Sequence, residues 1–158
     1  MGREAVEDRA RGPCVSHTPV NIEEARVELN ARCDAIEESY EFMLAYAAQG
    51  LPTDQGSDAG GQIREYLRRC DGALTGLAEF LTRFVGYLNV GSPSPYAGFI
   101  GVLDRDARDA QAALQLVLAQ PAIGSQLVDN LNASIHLRAL LTDLFLIDEV
   151  LKAHRRQA

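Results

Sequence analysis

The chain has 158 residues, 47% of them hydrophobic and 23% charged, with no tryptophan and a formal net charge of −7. That length suits one domain with a core of its own, able to fold without disulfides or metal. A chain this acidic lacks the electrostatic footprint that nucleic acid or anionic lipid requires, and no apolar run reaches the roughly 20 residues of a membrane span.

Residues 1–19, MGREAVEDRARGPCVSHTP, carry charge without apolar periodicity and are expected to form a flexible arm ahead of a single helical domain over 20–158. They have no apolar stretch of the kind a secretory signal needs. The three cysteines, Cys14, Cys33 and Cys70, are odd in number and widely spaced, the pattern of a reducing compartment, and the expected location is the cytoplasm. Cys14 and His17 offer one ligand pair with no second pair downstream, short of what a structural zinc site takes.

A first helix is predicted from an N-cap at Asn21 to near Gln49. Glu23 and Glu24 sit in its first turn, where the helix dipole favours anions, and Ile22, Leu29, Cys33, Ile36, Tyr40, Met43 and Ala47 recur every three or four residues. The stretch GLPTDQGSDAGG over 50–61 reads as a long, mobile, turn-rich loop. A second helix, with Asp58 as its cap, carries the clearest stripe in the chain: Ile63, Leu67, Cys70, Leu74, Leu77, Leu81, Phe84 and Leu88 alternate spacings of four and three. NVGSPSPYAG ends it, because two prolines and two glycines oppose helix. The third helix is expected over about 96–120, turned inward by Phe99, Leu103, Ala107, Ala110, Leu114 and Val117. Pro121 and Gly124 mark a turn, and Ser125 is the expected cap of a fourth helix running to about residue 153. Four helices of about 25–30 residues with no strand signal predict an all-α, antiparallel up-down-up-down four-helix bundle.

One short pattern occurs twice. ELNARCD ends at Asp34 and EYLRRCD at Asp71. Both place a cysteine on the inward stripe, and both place Glu four residues before Arg (Glu28–Arg32, Glu65–Arg69), the favourable order for a surface pair. The expected meaning is structural: a small core residue with an ion pair beside it.

Candidate functional residues are few. Asp34, Glu37 and Glu41 share one flank of the first helix, either as a solvated acidic face or as a docking edge for a basic protein partner. Gly72 and Gly76, opposite the leucines of the second helix, would leave a shallow groove for another backbone or simply weaken the helix. His136 is the one candidate cofactor ligand, for a haem or metal in a core pocket near the cysteines; a histidine so placed is more often an ordinary core or boundary residue. No Glu-x-x-His pair accompanies it, so neither a metal centre nor any cofactor is otherwise indicated. The stretch LRALLTDLFLIDEVL over 137–151 is apolar around most of its circumference, more than one bundle face needs. Leu141 and Phe145 on it are expected to bury a second face in a two-fold copy of the chain, ahead of the alternative of a fully central helix. No phosphate loop, serine elbow or other catalytic signature is present. The sequence therefore points to a non-enzymatic accessory or adaptor protein that works through protein–protein contacts, with a small-ligand or cofactor-binding bundle as the alternative.

Overall fold

The computed structural model describes residues 21–156, which are all-helical and contain no strand. Six helices follow one another: α1 (Ile22–Ala48), α2 (Asp58–Leu74), α3 (Leu77–Tyr87), α4 (Ser94–Leu118), α5 (Ser125–Ala133) and α6 (Ile135–Arg156). The arm expected over 1–19, with Cys14 and His17, lies outside the described residues.

Six helices replace the expected four because two of the expected ones are broken. The second divides at Thr75 and Gly76. Thr75 is extended and Gly76 takes φ +69°, a left-handed conformation that glycine adopts at little cost. The fourth divides at Ser134, which is extended at φ −63°, ψ 137°. Neither break disturbs the burial stripe, since Leu74 and Leu77 are both buried, as are Leu131 and Leu137.

Caps set the starts. Asn21 accepts a hydrogen bond from the Glu24 amide, as its position implied. Ser57, not Asp58, caps α2 by accepting from the Gly60 amide at 3.0 Å. Gly124 is the N-cap of α5; Ser125 is the next residue, and its side chain is used elsewhere.

Neighbouring helices run antiparallel. Along α1 and α2, Phe42 stacks on Tyr66 at 4.2 Å between centroids while Arg32 reaches the Ala73 and Thr75 carbonyls at the other end. Along α2 and α4, Arg64 meets the Leu118 carbonyl and Gln111 meets Asp71. Along α4 and α6, Asp109 faces His136 at one end and Tyr96 bonds His154 at the other. Leu29, Ile36, Met43, Leu67, Cys70, Phe80, Phe84, Leu103, Leu114, Leu140 and Leu151 fill the core between them. Tyr46, which the periodicity passed over, is fully buried; its hydroxyl donates to the Ile123 carbonyl at 2.6 Å.

The loop between α1 and α2 is not the free loop its composition implied. Leu51 and Ser125 exchange two hydrogen bonds, the Ser125 amide donating to the Leu51 carbonyl and the Leu51 amide to Ser125 Oγ, each at 2.8 Å. Ser125 Oγ in turn donates to the Tyr46 carbonyl at 2.6 Å. Asp54 completes the tie. Its Oδ1 accepts from the Ile123 amide at 2.8 Å, and its Oδ2 pairs with Arg64 Nε at 2.7 Å.

Candidate functional site

The sequence-derived candidates scatter over the surface. Asp34, Glu37 and Glu41 are all exposed on one flank of α1. Their neighbour Glu38 pairs with Arg69 of α2 at 3.0 Å. Gly72 lies exposed in α2 with open space around it, but Gly76 is not in a helix at all, so the two glycines form no helical groove. The sequence signal was real and its meaning different: Gly76 serves the chain turn between α2 and α3.

His136 is on the surface, not in the core. It falls in the first turn of α6, just past the break at Ser134, with its side chain half exposed and Nδ1 3.9 Å from an Asp109 carboxylate oxygen. The buried stripe of α6 starts one residue later, at Leu137, and leaves the imidazole outside. The cysteines are elsewhere. Cys33 is half-buried beside α6 and Cys70 fully buried in α2, both as free thiols. Burial first, and then Asp148, Glu37 and Asp34, push the Cys33 thiol up to about 11 against the lowering effect of Lys152. Burial and Asp71 push Cys70 up to about 12. Among the described residues no three His, Cys, Asp or Glu side chains converge as metal ligands would. No helix among them is long and apolar enough to cross a membrane.

The two apolar candidates on the last helix separate. Leu141 is buried in the chain's own core at 7% exposure, whereas Phe145 is 58% exposed. Leu146, 55% exposed, is the other apolar residue that α6 presents outward at this level. It opens onto a groove of about 300 Å³ between α4 and α6, lined by Pro95, Tyr96, Phe99, Leu146, Ile147 and Val150. These α4 positions are one flank of a helix whose opposite face is core, and Val102, one turn further along, is exposed on the same flank. The groove closes at the α6 end with Tyr96 and His154, joined by a 2.7 Å hydrogen bond.

Beyond the groove the same seam turns acidic. Asp106 of α4 lies close enough to Asp143 of α6 for its carboxyl to act on that of Asp143. Asp143 Oδ2 is buried and has no hydrogen-bond partner. Burial foremost, then the hydrogen bond and charge of Asp106, raise Asp143 to about 7. Asp109 follows on the next turn of α4. Sequence reading missed this pair. Asp143 stood out as a charge inside an apolar stretch, but only the antiparallel pairing of α4 with α6 puts Asp106 opposite it.

Two other hollows are less suited to a partner. One, about 340 Å³, lies under the 88–93 connection and includes Val85, Val90 and Ile100. The other, about 440 Å³, sits beside the α2–α3 break and is polar, with Glu79, Gln111 and the Arg108–Asp104 ion pair. Neither brings together a nucleophile and a base.

The arrangement thus offers an apolar, partly open seam with an acidic end, and no assembled catalytic set among the described residues. No family model matches the chain, and neither a curated protein nor a solved structure matches it.

Proposed function

We propose that the chain is a non-enzymatic interaction module, an accessory or adaptor protein that self-associates through the face formed by α4 and α6. The observation that carries this reading is the outward placement of Leu146 on the Pro95–Phe99 groove, with Phe145 exposed on the adjoining outer flank of α6. A contiguous apolar patch of this kind on a small soluble protein marks a contact site more often than chance exposure. In this reading α2 with α3, and α5 with α6, act as two jointed columns beside α1 and α4, an antiparallel bundle of four columns. The exposed acidic flank of Asp34, Glu37 and Glu41 supports a second contact, to a basic protein partner. The free thiols Cys33 and Cys70 fit a cytoplasmic setting.

Light scattering tests the reading. The expected particle has twice the chain mass of 17.2 kDa. Leu146→Glu and Phe145→Glu, at exposed positions, are expected to return it to one chain with unchanged helical circular dichroism. A wild-type chain that stays single at high concentration would rule out self-association through this face.

A further inference from the structure

The groove between α4 and α6 lies toward the end of the bundle at which α1 begins. Ser125, at the start of α5, bonds the Tyr46 carbonyl near the end of α1, and α5 and α6 then carry the chain back until Asp148 and Lys152 stand near Cys33. From Cys33 to Ile22 the first helix continues for about 16 Å toward its start. Tyr96 and His154 join the first turn of α4 to the last turns of α6 at this same end. Asn21, where the described chain begins, therefore stands on the side of the molecule onto which Pro95, Tyr96 and Val150 open.

The sequence entering Asn21 matches the seam in order and in charge. Residues 9–20, RARGPCVSHTPV, hold Arg9 and Arg11, no acidic residue, and then Pro13, Val15, Pro19 and Val20. Along α4 the order from the same end is apolar, then acidic. Helix periodicity puts Asp106 on the flank of Pro95 and Phe99, about 10 Å past Phe99, and Asp143 of α6 lies close to it. Among the described residues no lysine or arginine pairs with Asp106 or Asp143.

Resting on the reading of this face as the self-association site, we propose that its resident occupant is residues 9–20 of the same chain, with Pro13 and Val15 over the apolar groove and Arg9 and Arg11 over Asp106 and Asp143, so that a second copy must displace this segment to bind. The reach is sufficient. From Asn21 across one helix width and down to the level of Val150 is on the order of 20 Å, which the six residues from Val15 to Val20 can span. Arg11, four residues before Val15, extends up to about 13 Å further, enough to meet Asp106. Walls made of aromatic and proline side chains, here Pro95, Tyr96 and Phe99, suit a segment that contains proline. The tether also favours this occupant over a free chain, since a short linker holds the segment at an effective concentration on the order of millimolar.

Cys14, between Pro13 and Val15, is the natural probe. In full-length chain with Cys33→Ser and Val150→Cys, dilute oxidation by diamide is expected to bridge Cys14 to the new thiol at position 150 within one chain. Peptide mapping without reductant should show that bridge at least tenfold faster than with Leu116→Cys, an exposed position toward the other end of α4. Val15→Asp with Arg11→Glu should abolish the bridging preference and, with position 150 left as valine, tighten the dimer about tenfold in sedimentation equilibrium. Bridging no faster than at position 116, or a bridge between the two position-150 thiols of different chains, overturns the resident segment. So does a bridge from Cys14 to another chain. If the segment fails these tests while Leu146→Glu still dissociates the dimer, self-association stands without it. If the bridge forms within one chain, yet Val15→Asp with Arg11→Glu leaves the protein single, the segment stands and self-association through this face is overturned.

Discussion

At the scale of single residues, the repeated Arg-Cys-Asp pattern has two outcomes. Its first copy is as the spacing implied: Arg32 pairs with Glu28 at 3.0 Å. In the second copy Arg69 turns away from Glu65, pairs with Glu38 of α1 and lies over the Tyr66 ring at 5.2 Å. Spacing of four shows which charges could meet on one helix; it is silent on a better partner across the groove. Of the two cysteines, Cys70 is fully buried and Cys33 half-buried. Reactivity requires thiolate, and both thiols are held far above neutrality, Cys33 to about 11 and Cys70 to about 12. In a Cys14→Ser background, alkylation by iodoacetamide at pH 8 is expected to be on the order of a hundredfold slower than for an exposed thiol, with Cys70 slower than Cys33. Urea should restore the ordinary rate for both. Fast native labelling at Cys33 would contradict its placement beside Asp148 and Glu37.

Elements were legible where periodicity alone decides them and illegible where a side chain from elsewhere does. The stripe from Ile63 to Phe84 is buried as its spacing implied. The break inside it was invisible, because Leu74 and Leu77 stay three apart whether the chain between them is helical or not. What makes the break tolerable is Arg32. A helix end frees carbonyls that need donors, and Arg32 Nη1 donates to Ala73 and Thr75 at 2.9 and 2.7 Å while its guanidinium lies 5.3 Å from the Phe80 ring centroid. Gln111 serves Asp71 from the α4 side. Arg32→Ala is therefore expected to cost about 2 kcal/mol in urea unfolding, against about 0.5 kcal/mol or less for Arg69→Ala, whose pair is mostly solvated. Arg32→Lys should recover little, since one ammonium cannot span both carbonyls and the carboxylate of Glu28. Equal, small effects of the two alanine variants would show that solvent serves the α2 end as well as Arg32 does. The Ser134 break had no comparable signal, as serine neither requires nor forbids helix, and with it went the placement of His136.

Across the whole molecule, the connections are joined at one end by a single carboxylate. Asp54 belongs to the first connection. One of its oxygens holds the Ile123 amide of the α4–α5 connection, and the other holds Arg64 of α2, whose remaining nitrogens reach the Leu118 and Gln120 carbonyls. Gly60 admits this approach: a Cβ there would overlap the Asp54 carbonyl. The glycines and polar residues that made 50–61 read as a mobile loop are the ones that let the chain close on this tie. The Ile123 amide, ahead of Arg64, holds the Asp54 carboxyl below its ordinary value of 3.8, against the opposing effect of burial. A carboxyl more acidic when folded than when unfolded contributes stability above its unfolded pKa and loses it as pH falls through the folded one. Asp54→Asn keeps the shape and removes the charge. It is expected to lower stability by about 2 kcal/mol at pH 7, because charge-assisted bonds to Ile123 and Arg64 become neutral or are lost. As pH falls through the folded carboxyl's lowered value, the wild-type carboxyl takes up its proton and the gap should narrow. Urea unfolding of both proteins across that range reads the difference directly. A gap that stays constant from pH 7 to pH 2 would mean that Asp54 acts through loop shape alone, and that the joining of these connections does not depend on its charge.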